Sequence, residues 1–328
     1  MTSTRIAAWD GAYSRSVAVF VWMAALSAPA PASPSPSAPD TAPQITVVAV
    51  GDICFAGGVE RAARKAAAEY PFSRMRPTLT GADIAIGNLE CALTKHKDGL
   101  DKRYRFRASP SWARRLADAG FDAVSVANNH AQDYGRVGLA DTVTSLRNAG
   151  VRPIGGGHTL AEAHEAQVIE QKGVRVAFLA YLGMFPPLLP IAEREPSVAM
   201  ANASAFARDI KAARRRADVV VVSLHAGVEM STTPSWRQKS LARSAIDAGA
   251  DLIIGHHPHV VQPMERYRGK VIFYSLGNFV FNPSPSFLKN PRGPWSGMAH
   301  VTVDRSGVVA AKLVPLRIVD RQPRPLKP

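Results

Sequence analysis

From residue 45 onward the chain alternates between short apolar runs and amphipathic stretches. "ITVVAVGD" is a β-branched run ending in Gly-Asp, and the Ala-rich "VERAARKAAAEYPF" predicts a helix. "ADIAIGNLE" predicts a second strand, and "SWARRLADAG" a helix closed by Gly120, a residue suited to the turn after a helix end. "FDAVSVANNH" predicts a third strand and "GLADTVTSLRNAG" a helix closed by Gly150. "VRVAFLAYLG" and "DVVVVSLHAG" predict strands on either side of a helix at about residues 202–217. "PSWRQKSLARSAIDAG" predicts a helix that opens near Pro234 and closes at Gly249. "ADLIIGHHPH" and "KVIFYSLGNFVF" follow as strands, and "MAHVTVDRSGVVAAKLVPLRIV" as an antiparallel hairpin turning at Ser306-Gly307. Near-continuous apolar strands alternating with helices indicate a layered α/β fold with sheets buried on both faces.

The stretch before residue 45 has a different character. Arg5 and Arg15 precede ten apolar residues at 17–26, and "SAPAPAS" supplies small residues in an A-x-A pattern. That order predicts a secretory signal over residues 1–32, with an uncleaved membrane anchor as the alternative. Residues 33–44 are a Pro/Ser-rich linker, residues 45–320 the folded domain and residues 321–328 a tail. The protein is therefore expected outside the cytoplasm, in the periplasm or at the cell surface. There Cys54 and Cys91, each just after a strand-like run, can bridge if their strands are neighbours.

Charge narrows the partners. Lys and Arg total 40 against 26 Asp and Glu, a net +14, which favours polyanionic polymers, anionic headgroups or phosphorylated substrates. Beyond the short run "KRYRFR" at 102–107 no basic stripe interleaves with aromatics, so nucleic acid is not an expected partner.

The polar residues of the predicted strands gather at their carboxyl ends, where open α/β sheets bind ligands. The first run ends at Asp52, the second at Asn88 and Glu90, and the third at Asn128, Asn129 and His130. Later runs end at His225 and at His256, His257 and His259. Such a set suits divalent Mn, Fe or Zn in a mixed oxygen and nitrogen site. In an extended segment His257 and His259 point to one side and His256 to the other, making His256 a supporting or packing residue.

At this point the residues resemble a family. "VGDICF", "IGNLECALT", "VANNHAQDYG", "LHAGVE" and "GADLIIGHHPHVVQPMERYRGKVIFYSLGNFVF", spread over residues 45–281, look like the CapA family of capsule and poly-γ-glutamate synthesis proteins. That family is similar in turn to calcineurin-like metallophosphoesterases. The resemblance implies a four-layer α/β/β/α sandwich over two divalent metal ions. It also implies work on an anionic polymer such as poly-γ-glutamate, beside membrane-bound components of a polymer synthase. Carried over by position, Asp52 and His259 match ligands of the first metal, and His225 and His257 ligands of the second. Glu90 matches the bridging carboxylate with Asn88 in support, Asn129 an amide ligand, and His130 the neighbouring proton-donating histidine. Cys54 stands where phosphoesterases carry a histidine, Glu90 where they carry Asp, and Ala226 and Met230 where relatives carry aromatics.

Fainter signals complete the site. Glu229 reads as a general base or substrate contact, or as half of a loop ion pair. Asp133 reads as orienting His130, or as a helix cap. Asn278 after Gly277 reads as a site residue, or as a left-handed turn residue. Arg103, Arg105 and Arg107 alternate, so a strand would put all three on one face for carboxylates or phosphates. Three functions fit these readings: a metal-dependent hydrolase or transferase, a non-catalytic component of polymer assembly, and a basic binding module without metal.

Overall fold

A computed structural model describes residues 42–67, 69–184, 189–282 and 294–326. The apolar run at 17–26 and most of the linker, on which the export reading rests, lie outside these residues.

The first half of the domain comprises β1 (Ile45–Ile53), α1 (Gly58–Ala63), α2 (Arg76–Thr80), β2 (Ile84–Leu89), β3 (Ala92–Leu93), β4 (Arg107–Ala108), α3 (Trp112–Ala119), β5 (Ala123–Ser125), α4 (Gly135–Asn148), β6 (Arg152–Ile154), β7 (Gly156–Gly157) and α5 (Leu160–Ala163). The second comprises β8 (Gln167–Gln171), β9 (Val174–Leu182), β10 (Ser197–Val198), α6 (Ala203–Arg214), β11 (Val219–His225), α7 (Trp236–Asp247), β12 (Leu252–His256), β13 (Met264–Tyr267) and β14 (Lys270–Phe273). The chain then returns to the first sheet with β15 (Asn278–Val280), β16 (Trp295–Asp304), β17 (Gly307–Val319) and β18 (Gln322–Pro325).

One sheet runs β18-β17-β16-β1-β2-β5-β6 with β15 also on β1, and the other runs β13-β14-β12-β11-β9-β8. The alternation of side chains along each strand builds the layers. Ile45, Val47 and Ala49 face Val219, Val221, Leu252 and Ile254 between the sheets. Val48 and Val50 face outward under α3 and α4, against Trp112, Leu116, Leu139 and Val143. Val220, Val222 and Ile253 face the opposite way, under Phe206, Ile210, Ala242 and Ile246 of α6 and α7. Three cores between four layers give the α/β/β/α sandwich that the family resemblance implied. The start of α7 has a capping box, in which Ser235 and Gln238 satisfy each other's backbone N–H groups.

The local readings hold unevenly. The Ala-rich stretch after Val59 is helical only to Ala63: Val59 and Ala63 are buried and Ala62 packs on the core, but residues 64–67 are exposed, and propensity without a buried face does not sustain a helix. No strand spans residues 103–106; Arg105 folds back so that its guanidinium donates to the carbonyls of Gly99 and Leu100. The C-terminal hairpin forms, but its two-residue turn is Arg305-Ser306, with Gly307 opening β17 at φ +131°. Past residue 320, where the sequence suggested a tail, β18 pairs with β17.

Candidate metal centre

The carboxyl ends of β1 and β2 in one sheet meet those of β11 and β12 in the other. Asp52 on β1 lies in parallel register with Asn88 on β2 and with Asn278 on β15. This row needs glycine. A Cβ on Gly51 would fall 1.9 Å from the carbonyl oxygen of Gly277, which itself accepts from Asp52 N at 3.0 Å. Gly277 takes the left-handed conformation at φ +71°, which leaves Asn278 free to enter the strand. Asn88 Nδ2 donates to Asp52 Oδ1 at 2.9 Å and lies 3.3 Å from His225 Nδ1.

Two loops close the site. After β5, Asn128 Nδ2 donates to Leu89 O and Asn88 Oδ1, while Asn128 Oδ1 accepts from His130 N. That anchor sets Asn129 Oδ1 2.9 Å from His225 Nε2. After β12 the backbone turns instead of staying extended, contrary to the sequence reading. His257 and His259 take φ +98° and +59°, left-handed values that cost on the order of 1–3 kcal/mol per residue and tend to cluster at functional sites. The two rings converge through this turn, with centroids 6.0 Å apart. His257 N reaches Asp52 Oδ2 at 3.4 Å, and Pro258 O accepts from Met230 N, tying in the loop that carries Glu229.

Glu90, His257 and His259 offer ligand atoms all within 4.8 Å of one another, as do Asp52, Glu90 and His225. Glu90 is common to both groups. The carry-over from the resemblance paired Asp52 with His259 instead; those two also touch, His259 Nδ1 lying 3.2 Å from Asp52 Oδ2. Both oxygens of Glu90 and Nδ1 of His257 are buried without a hydrogen-bond partner. An unpaired buried carboxylate costs on the order of several kcal/mol, so these atoms fit a cation that would complete them.

The electrostatics agree. Burial, then the charge of Asp52, pushes the Glu90 carboxyl well above its ordinary range. Burial opposes charge on Asp52 as well, but the His256 and His259 imidazoles, each 3.2 Å from one of its oxygens, hold it well below. Burial would lower His259, yet Glu90 and Asp52 outweigh it and push it up to about 10. Burial and the neighbouring imidazoles keep His225 well below the usual value and push His257 down to about 3. The pocket thus holds surplus negative charge, which draws a proton to His259.

Beside this cluster, His130 Nδ1 lies 2.7 Å from Asp133 Oδ2, and the His130 ring stacks on Phe106 at 4.2 Å. Asp133 is fully buried and does not cap α4, whose N-cap residue is Tyr134. Burial lowers the pKa of His130, Asp133 raises it and nearby Lys102 lowers it. Glu229 is exposed in the loop after β11, with its charge felt by Glu90 and His259. Arg105 serves its own loop, as described. Cys54 and Cys91 follow neighbouring strands and are buried as free thiols in the helix-side core. Cys54 therefore does not replace the histidine ligand of phosphoesterases. Lys102 was missed by the sequence reading. Its Nζ donates to Asp133 Oδ1 at 2.6 Å, across 31 positions that no spacing rule connects.

The chain is similar to known proteins. A profile described as "Bacterial capsule synthesis protein PGA_cap" matches residues 46–283. The chain is 34% identical over 282 residues to the PGA biosynthesis protein CapA of Bacillus subtilis, covering 85% of this chain and 73% of that one. It is 32% identical to the capsule biosynthesis protein CapA of Bacillus anthracis, covering 86% and 70%. In structure it is similar to a phosphatase from Mycoplasma pneumoniae, with a TM-score of 0.53 at 16% identity over 84% of this chain and 95% of that one. This last likeness concerns the fold.

Proposed function

The chain belongs to the family of bacterial capsule synthesis proteins PGA_cap, and from that premise we propose that it acts on an anionic γ-glutamyl capsule polymer through a two-metal hydrolase-type centre. Asp52, Glu90, Asn129, His225, His257 and His259 would hold two divalent ions, Mn, Fe or Zn. Bound there, such ions supply a Lewis acid and a water of lowered pKa. The residues around them do the rest. His130 has Nδ1 engaged by Asp133, so Nε2 is the atom that takes up a proton from solvent and then gives it to a leaving oxygen or nitrogen. Asn278 holds His259 from behind, and the His256 ring lies beside Asp52, with Nδ1 3.2 Å from Oδ1. Glu229 stands exposed at the rim, where a substrate approaches. The bond cleaved is a phosphoester or a γ-glutamyl amide, and the net charge of +14 draws in an anionic chain. The protein works outside the cytoplasm, beside membrane-bound polymer synthase components.

The observation that carries this reading is Glu90, a buried carboxylate with both oxygens unpartnered between two ligand groups. The test is elemental analysis of the purified protein with a panel of phosphodiesters and poly-γ-glutamate. About two metal equivalents and turnover of one substrate are expected. A metal-free protein overturns the reading.

One observation favours a non-catalytic role in polymer assembly. Cys54 lies in the helix-side core, so the Asp52 group lacks a ligand there. On that reading metal binds and every substrate in the panel is left intact.

A further inference from the structure

Asp133 is wrapped by one segment of chain. Leu100 N donates to Asp133 O at 2.9 Å, Phe106 N donates to Asp133 Oδ2 at 2.7 Å, and the Phe106 ring covers His130. Lys102 reaches in from the middle of the same segment. Its Nζ donates to Asp133 Oδ1 at 2.6 Å and to the backbone carbonyl of Asn129 at 2.7 Å, and it lies 3.3 Å from His130 Nδ1. One ammonium therefore spans the residue that orients His130 and the backbone of a candidate metal ligand. The side chain is only 21% exposed, so water competes weakly for these bonds.

The network fixes a tautomer. If Lys102 donated to His130 Nδ1, that nitrogen would carry a lone pair and face Asp133 Oδ2, setting two acceptors 2.7 Å apart. The arrangement is satisfied only when Nδ1 carries the proton and gives it to Asp133, while Lys102 spends its donors on Asp133 Oδ1 and Asn129 O. Nε2 is then the free nitrogen. Without Lys102, Asp133 Oδ1 and the Asn129 carbonyl both lose their donor; the carboxylate is then held through Oδ2 alone, by Phe106 N, and can tilt away from Nδ1.

We propose that Lys102 is a positioning residue, holding Asp133 and the Asn129 backbone so that His130 presents Nε2 as a single tautomer. The proposal rests on the reading of His130 as the proton-transfer group, but its first test does not depend on turnover. In zinc-loaded full-length protein with ¹⁵N-labelled histidine, His130 should show a proton on Nδ1 only. Lys102→Met, which keeps the apolar stem, should give mixed tautomers at unchanged zinc content, and Lys102→Arg should restore the single form. A single Nδ1-protonated form in Lys102→Met overturns the proposal. If Lys102→Met does not fold, Lys102→Gln takes the same measurement, with the same expected and overturning results. With a substrate from the panel, Lys102→Met should lower kcat about 10–100-fold with KM within about twofold, a fraction of what proton transfer contributes. That loss should vanish when His130 is already Ala. An equal further loss in the His130→Ala background overturns the proposal, because Lys102 would then act independently of His130. A protein without turnover removes the proton-transfer reading of His130, and the tautomer result then decides the role of Lys102 alone.

Discussion

Asn278 and Asp52 stand side by side across the parallel pair β15 and β1, and one imidazole touches both. His259 Nδ1 lies 3.0 Å from Asn278 Oδ1 and 3.2 Å from Asp52 Oδ2, with Nε2 turned toward Glu90 at 3.8 Å. A histidine whose far nitrogen is held this way is pre-oriented as a ligand. Asn278→Ala should therefore weaken metal binding about 10–100-fold while the protein stays folded. Calorimetric titration of the metal-free protein checks this, and unchanged affinity would remove Asn278 from the site.

Metal affinity should rise with pH. The metal-free site holds an extra proton, either on His259, which, against its burial, the charge of Glu90 pushes up to about 10, or on Glu90 itself, which burial holds well above its ordinary range. A cation must displace it, so binding releases a proton and the Kd falls as pH increases, about tenfold per unit for each proton released. Titrations at pH 6 to 8 in buffers of different ionisation enthalpy count the protons released. An affinity that is flat or falls with pH contradicts the ligand assignment.

His257→Ala and His259→Ala should each lose metal with little loss of fold, since both side chains face the cluster from a turn rather than fill a core. His256→Ala should be milder, because its ring touches Asp52 and belongs to neither ligand group. Metal analysis of the three variants checks the order.

His130→Ala should keep its metal and its melting temperature and lose about a hundred- to ten-thousand-fold in turnover. Loss of metal along with activity would instead make His130 a ligand.

Far from the site, Asp209 on α6 accepts from His164 Nδ1 at 2.7 Å and Tyr181 OH at 3.0 Å. Burial opposes its charge, but His164 and Arg208 hold its pKa below the usual carboxylate value. A depressed folded pKa gives stability that is present above about pH 4 and is lost as pH falls through the folded value. Asp209→Asn should cost about 1–3 kcal/mol at neutral pH and flatten the decline below pH 4. Urea denaturation at pH 7 and at pH 3 to 4 measures both effects.

Much of this was legible in the chain because strand periodicity and strand ends are local. Val47 and Val48 belong to opposite faces wherever the strand goes, and Asp52, Glu90, His225 and His257 lie at or just past the ends of apolar runs that can only be strands. Two of the failures were of one kind. Arg105 and the stretch after Val59 followed local patterns, but the fold gave the first a loop to brace and left residues 64–67 of the second exposed.

The sequence by itself determined a layered α/β class and the roster of metal-capable side chains, since both follow from residue type and nearest-neighbour spacing, while the four-layer order was implied only by the family resemblance. Tertiary structure alone decided which of those side chains meet. The left-handed turn that converges His257 and His259, the Gly51 and Gly277 approach that sets Asn278 against Asp52, and the reach of Lys102 to Asp133 all depend on backbones distant in sequence. Only the packing of two sheets brings those backbones within a few ångströms, and no periodicity along the chain encodes that distance.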